Sequence, residues 1–178
     1  MALTATIYHF SIDLSDLDRG VFETLDLRVA RHPSETPEYM LVRVLAYCLE
    51  YREGIELTEG ISSGEEPALL IRDLTGRVTA WIEVGMPDAD RLHRGSKLAG
   101  RAAVYTHRDV RQFLEQLSRA KIHRGGEIPI RAFERRAIET LASQLERRTS
   151  LAISISEGEL FVSHGERTVT LSMVEHRL

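Results

Sequence analysis

Alternation of apolar and polar residues marks both ends of the chain as β-structure. Residues 4–13 and 20–30 interleave the two kinds of side chain, and the polar segment 14–19 between them predicts an opening hairpin. Near the other end the same alternation recurs in three segments, 151–156, 159–163 and 168–174. We therefore predict that the chain ends in a three-stranded meander.

Apolar spacings of three and four residues predict helices in the middle of the chain. The clearest helix runs from residue 37 to residue 51, because Pro37 suits a first helical turn and Gly54 lies just beyond the end. Its apolar positions are Leu41, Val44, Leu45, Cys48 and Leu49. Further helices are predicted at 91–101, from Asp109 onward, and at 131–147.

Short apolar strands lie between these helices. Segments 68–73 and 77–84 are joined through Thr75-Gly76 and predict a second hairpin, and 102–106 predicts a single strand. Residues 55–66 have the Gly and Ser content of a connection. The alternation of strands and helices predicts an α/β fold.

Composition favours one folded domain over residues 1–178. The chain has 178 residues, of which 43% are apolar and 28% charged, values typical of a globular protein. Cys48 is the only cysteine, so no internal disulfide can form and a reducing compartment is expected. The first residues lack a signal-peptide pattern and no apolar stretch is long enough for a membrane span. We expect a cytoplasmic protein that does not enter membranes.

The charge distribution raises the question of a phosphate-binding surface. The whole chain carries a net charge of -4, which argues against unspecific coating of nucleic acid. Residues 91–124 nevertheless contain nine Lys and Arg against Asp109 and Glu115, which leaves this segment at about +7. It is either a pair of solvated helix faces or a surface that faces the phosphates of nucleic acid.

The most informative single residue is Glu83. Phosphate loops, dinucleotide fingerprints, zinc-protease motifs and serine-hydrolase motifs are all absent from the sequence. Glu83, however, lies in the otherwise apolar strand of residues 78–84, where a charge must face solvent, be paired or bind a cation. Two interpretations follow, a solvated strand face or a metal carboxylate at the end of a strand.

Hairpin geometry narrows the partners of Glu83. Asp73 lies beside the turn, roughly 17 Å away at about 3.3 Å per residue, so it cannot share an ion with Glu83. Glu66 lies opposite residue 85 if the turn is Thr75-Gly76, or opposite residue 84 if Gly76 forms a bulge. The two registers place Glu66 on opposite faces, and the sequence does not choose between them.

Carboxylates on neighbouring strands, beside a helix that can add a third, suit Mg²⁺ or Mn²⁺. Such an ion can activate water and polarise a phosphoryl oxygen, and phosphodiester hydrolysis is the natural use. Glu35 and Glu38 at the start of the Pro37 helix also have a simpler explanation, as acids that complement the helix dipole.

Three segments of the chain resemble the YaeQ family of small bacterial proteins. They read RHPSET at 31–36 followed by Glu38, EP at 66–67, and WIEVGMPD at 81–88. The resemblance implies a fold like the PD-(D/E)XK nuclease superfamily, a central mixed β-sheet flanked by helices, with the N-terminal hairpin and C-terminal meander added. It also implies a metal site in which Glu66 and Glu83 are the two strand acids and Glu38 the additional helix acid.

The chain departs from that superfamily pattern at Gly85, where the pattern has lysine. Lys97 is the better substitute for the catalytic role and Arg94 the better phosphate clamp, although both also fit a solvated helix face. Two functions are therefore expected as alternatives. One is a Mg²⁺-dependent nuclease that uses Glu38, Glu66 and Glu83; the other is a non-catalytic module that binds nucleic acid or a protein partner.

Overall fold

The structure is a computed structural model that describes residues 4–59 and 64–178. Within these ranges the chain forms eleven strands, four helices and a 3₁₀ turn at Gly125–Glu127. In chain order they are β1 (Thr6–Asp16), β2 (Val21–Arg31), α1 (Pro37–Glu50), β3 (Ile55–Leu57), β4 (Leu69–Arg72), β5 (Val78–Val84), α2 (Ala89–Leu98), β6 (Arg101–Thr106), α3 (Arg111–Ser118), β7 (Ile130–Phe133), α4 (Arg135–Ala142), β8 (Arg148–Ser156), β9 (Glu159–His164), β10 (Arg167–Leu171) and β11 (Met173–His176). None of the helices in the described ranges is long and apolar enough to cross a membrane.

The strands form two mixed sheets, whereas the resemblance implied one central mixed sheet with the hairpin and the meander added. The N-terminal hairpin and the C-terminal meander belong to one five-stranded sheet in the order β10-β9-β8-β1-β2. They join through parallel pairing of β1 with β8, in which Phe10 lies opposite Thr149. Alternate residues of β1, among them Phe10, Ile12 and Leu14, are buried on one face of this sheet.

The remaining strands form a six-stranded sheet in the order β11-β7-β6-β5-β4-β3. Its centre is parallel, with β5, β6 and β7 side by side, while β3, β4 and β5 are antiparallel. One face of this sheet carries a buried cluster to which Trp81, Leu92, Val104 and Phe113 contribute. Helix α2 packs against β5 and β6 on this face, which places it beside Glu83.

These two sheets correspond to two compact units of the chain. The first comprises Met1–Leu41 and Phe133–Met173, and the second comprises Val42–Ala132 and Val174–Leu178. The expectation of a single domain over residues 1–178 stays a prediction.

Two other expectations about the elements were wrong. The predicted connection 55–66 contains the short strand β3, which pairs with β4; residues 60–63 lie outside the described part. The predicted helix 131–147 begins only at Arg135, because Arg131 and Ala132 extend β7 beside Tyr105 and Thr106 of β6. In both segments pairing with a neighbouring strand overrides the local pattern.

The β4–β5 hairpin combines features of both predicted registers. Its turn has Gly76 at φ 82°, and the amide of Asp73 bonds the carbonyl of Arg77, as a bulged three-residue loop requires. An irregularity between Ile71 and Arg72 then shifts the register back, so that Leu69 lies opposite Ile82. Continued in that register, residue 66 is level with residue 85, on the face of the sheet that carries Glu83.

Candidate functional site around Glu83

Glu83 is a buried carboxylate whose acceptor positions are largely used by neighbouring donors. It lies near the end of β5 with 3% of its surface exposed. The indole nitrogen Nε1 of Trp81, two residues earlier on the same face, donates to Oε1 at 2.9 Å. Arg91 donates to Oε1 from Nε at 3.0 Å and to Oε2 from a terminal nitrogen at 3.3 Å.

Arg91 connects the strand, the helix and the preceding loop. It occupies the first turn of α2, where its backbone amide bonds the carboxylate of the N-cap residue Asp88 at 2.8 Å. Its guanidinium also donates to the backbone carbonyl of Glu66 at 2.6 Å and to that of Gly64 at 3.0 Å. One arginine side chain therefore holds the loop at residues 64–66 against the end of β5.

The arrangement around Glu83 does not suit a divalent cation. A carboxylate offers about four lone-pair positions, and three donors already point at this one. A divalent ion about 4 Å from the Arg91 guanidinium would meet a repulsion of roughly 8 kcal/mol at an effective dielectric constant near 20. Metal binding at Glu83 would thus require Arg91 to leave.

Burial raises the pKa of the Glu83 carboxyl above its ordinary value, and the hydrogen bonds and charge of Arg91 together with Trp81 offset this only in part. The buried carboxylate therefore depends on these two neighbours to remain ionised. Their role is to stabilise charge inside the fold.

The other predicted ligands lie in different surroundings. The backbone of Glu66 is held by Arg91, while its half-buried carboxylate has no hydrogen bond or ion pair within residues 4–59 and 64–178. Glu38 belongs to the other compact unit, where Arg135 is a charged neighbour. In the described part of the chain, no three His, Cys, Asp or Glu side chains are grouped as metal ligands. Coordination by Glu38, Glu66 and Glu83 together stays a prediction.

The two predicted phosphate-contacting residues are exposed on α2. Arg94 makes a long hydrogen bond of 3.4 Å to the carbonyl of Gly64. Lys97 forms no ion pair or hydrogen bond to another described side chain, and it lies about 9 Å beyond Arg91 along the helix axis. A role for either residue in catalysis stays a prediction, whereas both are free to meet an external anion.

Gly85, at the position of the expected lysine, has a backbone that favours glycine. Its φ is 91°, a left-handed conformation, and its amide donates to the carbonyl of Tyr105 at 2.9 Å. A lysine at this position would therefore be strained, so the departure involves the backbone as well as the side chain.

Comparison with known proteins identifies the family. The family model described as YaeQ protein matches residues 1–173. The chain belongs to the YaeQ family. Among curated YaeQ relatives, the Escherichia coli K12 protein is 28% identical and the Salmonella typhi protein 29% identical, each over 174 residues that cover 97% of this chain and 96% of the relative. Both relatives are named "Uncharacterized protein YaeQ".

Solved YaeQ structures share the fold described above. The crystal structure of the YaeQ protein from Pseudomonas syringae is 36% identical, with a TM-score of 0.89, and the match covers 96% of this chain and 95% of that one. The YaeQ protein from Xanthomonas axonopodis pv. citri is 30% identical with the same TM-score, and the match covers 98% and 99% of the two chains. The mixed α+β architecture is thus the architecture of the family.

Another buried carboxylate of this YaeQ-family chain, which the sequence does not reveal, is that of Glu50. Arg101 donates to both of its oxygens, at 2.7 and 2.5 Å, and the hydroxyl of Tyr105 donates to Oε1 at 2.6 Å. Arg131 completes the network by donating to the Tyr105 oxygen at 2.6 Å and to Glu175 at 3.1 Å. Glu50 ends helix α1 while its partners lie on strands of the sheet, so tertiary packing brings them together and no local sequence signal marks them.

The carboxylates of Glu50 and Glu83 differ in their electrostatics. Burial alone would raise the pKa of the Glu50 carboxyl, but hydrogen bonds and charge from Arg101, with help from Tyr105 and Arg131, outweigh it and hold that pKa below its ordinary value. Glu50 is therefore firmly ionised at neutral pH, and its network is structural.

Fewer cations of the basic segment 91–124 are available to an external anion than its composition suggests. Five of its nine cations are ion-paired with acids, namely Arg91, Arg101, Arg111, Arg119 and Arg124. The other four have no ion pair within the described ranges: Arg94, Lys97, Arg108 and Lys121. The available positive charge is thus concentrated on α2 and around α3.

Proposed function

We propose that this YaeQ-family chain is a non-catalytic module that binds nucleic acid through its phosphate backbone. The observation that carries the proposal is the closure of Arg91 onto Glu83 at 3.0 Å. A carboxylate held by its own arginine and tryptophan serves the fold, and the backbone at Gly85 disfavours the lysine that hydrolysis would need.

The resemblance to PD-(D/E)XK nucleases is compatible with this function if the metal site of the nucleases has been replaced by an arginine contact. In that superfamily's pattern, Glu66 and Glu83 would hold Mg²⁺ or Mn²⁺, which would polarise a phosphoryl oxygen when bound. In this chain the same two positions are joined by Arg91, which bonds the carboxylate of one and the backbone of the other. A nuclease-like fold in which Arg91 takes the place of the metal ion could still bind nucleic acid on its surface, but it would not cleave it.

The binding surface we propose is formed by Arg94, Lys97 and Lys121, named here the α2 basic surface. Arg94 and Lys97 are one turn apart on the exposed side of α2. The loop that carries Lys121 lies beside the helix, because the amide of His123 donates to Nδ1 of His93 at 3.1 Å. Cations without acidic partners are the ones that neutralise phosphates.

The proposal is tested by fluorescence anisotropy with labelled single-stranded and duplex oligonucleotides over a range of salt concentrations. The double variant Arg94→Gln/Lys97→Gln should weaken binding to all sequences and flatten the salt dependence by about 0.7 per lost contact on single strands. The matched control Arg52→Gln/Arg77→Gln removes the same charge from two exposed arginines of the same unit and should bind as the unmodified protein does.

A cleavage assay decides between this function and the nuclease. The same oligonucleotides are incubated with Mg²⁺ or Mn²⁺ and either the unmodified protein or Glu83→Gln, and Mn²⁺ binding is measured by calorimetry. Cleavage that Glu83→Gln abolishes, together with a Mn²⁺ site that the same change removes, would overturn the non-catalytic proposal. Equal binding by the α2 variant and its control would overturn the proposed surface.

A further inference from the structure

Four arginines from distant parts of the chain lie at one end of the five-stranded sheet, two on each face. On one face, His9 of the central strand β1 is paired with Arg28 of β2 and with Arg148 of β8. The two arginines therefore stand about 10 Å apart in one row, with the histidine between them. Both are exposed.

The opposite face of the same sheet end carries the other two arginines. The guanidinium carbons of Arg31 and Arg147 lie 5.6 and 5.5 Å from the centroid of the Tyr8 ring. Arg31 ends β2 and Arg147 directly precedes β8, the two strands that flank β1, and Arg31 also donates to the Tyr8 hydroxyl at 3.4 Å. Cation–π contact holds both guanidinium groups over one ring.

These cations have no acidic counterpart in the described part of the chain. No ion pair joins Arg28, Arg31, Arg147 or Arg148 to an acid in residues 4–59 and 64–178, whereas ten other arginines there are paired. The Nε atom of Arg31 is buried and lacks a hydrogen-bond acceptor. Two guanidinium groups held over one ring also repel each other, and an incoming anion would relieve that repulsion.

We propose that the pair Arg31 and Arg147, held over the ring of Tyr8, is a binding site for a phosphate-type anion, while Arg28 and Arg148 on the other face add positive charge at the same sheet end. Guanidinium groups offer paired, planar donors that match the oxygens of phosphate. The ring of Tyr8 is already engaged by two arginines, so the site recognises charge and phosphate geometry and does not stack a base. The anion is either a free phosphate or pyrophosphate or a phosphodiester within a nucleic-acid strand.

The site is independent of the α2 basic surface, since its residues belong to the other compact unit. Calorimetric titration with inorganic phosphate and pyrophosphate, and anisotropy with a single-stranded oligonucleotide, distinguish the two sources. Arg31→Gln and Arg147→Gln should each weaken binding of the preferred anion by roughly 10- to 100-fold. Arg167→Gln is the control, because Arg167 is exposed, lies in the same unit and also has no ion pair in the described ranges; it should have no effect.

Two further measurements keep the outcome clear. Arg147 is exposed, so Arg147→Gln is expected to fold, and Arg147→Lys tests whether the paired donors matter beyond the charge. Binding of phosphate or pyrophosphate that the two variants lose identifies a free anion, and loss confined to the oligonucleotide identifies a phosphodiester. Undetectable binding of all three probes at millimolar concentration, or equal loss in Arg167→Gln, would overturn the site. If Arg31→Gln and Arg147→Gln leave the binding of all three probes unchanged while Arg94→Gln/Lys97→Gln weakens oligonucleotide binding, the site is overturned and the proposed function stands.

Discussion

Replacing Arg91 by alanine tests whether this arginine holds the candidate site together. The change removes two donors from the buried Glu83 carboxylate and two from backbone carbonyls of the preceding loop. Loss of one partner of a buried ion pair costs about 3–5 kcal/mol, and the lower end applies because 23% of the Arg91 side chain is exposed. We expect a loss of about 3 kcal/mol in the free energy of unfolding, or roughly 6–12 °C in Tm.

The same variant should show a characteristic pH dependence. Without its cation, Glu83 is buried alone and its pKa rises further above the ordinary value. The folded protein then holds a proton that the unfolded chain releases, so stability falls as pH rises above about 4 and is regained in acid. Urea denaturation of Arg91→Ala at pH 4.5 and pH 7.5 should therefore give a larger loss at pH 7.5.

The single variant Glu83→Gln and the double variant Arg91→Ala/Glu83→Gln complete a double-mutant cycle with Arg91→Ala. Glutamine preserves the shape and can still accept from Trp81, so Glu83→Gln alone should cost about 1 kcal/mol. Arg91→Ala should then cost clearly less in the Glu83→Gln background, with a coupling of about 2 kcal/mol. Arg94→Ala, one turn away and exposed, is the control and should stay within about 0.5 kcal/mol. A loss below about 1 kcal/mol in Arg91→Ala, or absence of coupling between Arg91 and Glu83, would refute the idea that Arg91 holds this site together.

Three further predictions concern the six-stranded sheet. Glu50→Gln leaves two arginines facing a neutral amide. Measured by urea denaturation at pH 7, it should lower the free energy of unfolding by about 3 kcal/mol. Because the fold lowers the pKa of Glu50, the difference in stability from the unmodified protein should shrink as pH falls below about 4. Gly95→Ala would place a Cβ atom 2.4 Å from the ring of Trp81 and should cost about 1–3 kcal/mol by thermal denaturation, whereas the control Gly64→Ala meets no atom within 4 Å and should be neutral. Gly85→Lys should lower Tm by an amount corresponding to about 1–3 kcal/mol and should not create Mn²⁺-dependent cleavage; a fully stable, active variant would contradict the interpretation of its backbone.

The sequence predicted helices and strands well where the spacing of apolar residues along one face of the element is regular. Helix α1 ends within one residue of the predicted position, and both hairpins form where alternation and turn residues indicated. The two-sheet arrangement was missed because the pairing of β1 with β8 is a long-range choice that leaves no local trace. The register of β4 was open for a similar reason, since it depends on an irregularity at Ile71 and Arg72.

The sequence predicted where the candidate site lies, but only part of how its residues interact. Glu83 was recognised from a charge in an apolar strand, and pairing was one of the three explanations for such a charge. Its partner Arg91 was counted instead among the cations available to phosphate, because the sequence does not show which way a side chain on the first turn of α2 points. The network of Glu50, Arg101 and Tyr105 required knowledge of which residues face each other across sheet and helix.

The parallel pairing of β1 with β8 also bears on how the chain folds during synthesis. Residues 42–132 form most of one unit and leave the ribosome as one nearly continuous stretch, so their sheet can assemble early. The β1–β2 hairpin is synthesised before this stretch, but β1 gains its second neighbour only when residues 148–156 have been made. Until then β1 presents an unpaired edge with apolar side chains on one face. β1 is thus synthesised long before its partner β8 and is among the last strands to complete its pairing, and this interval is when the nascent chain is most open to aggregation or to a chaperone.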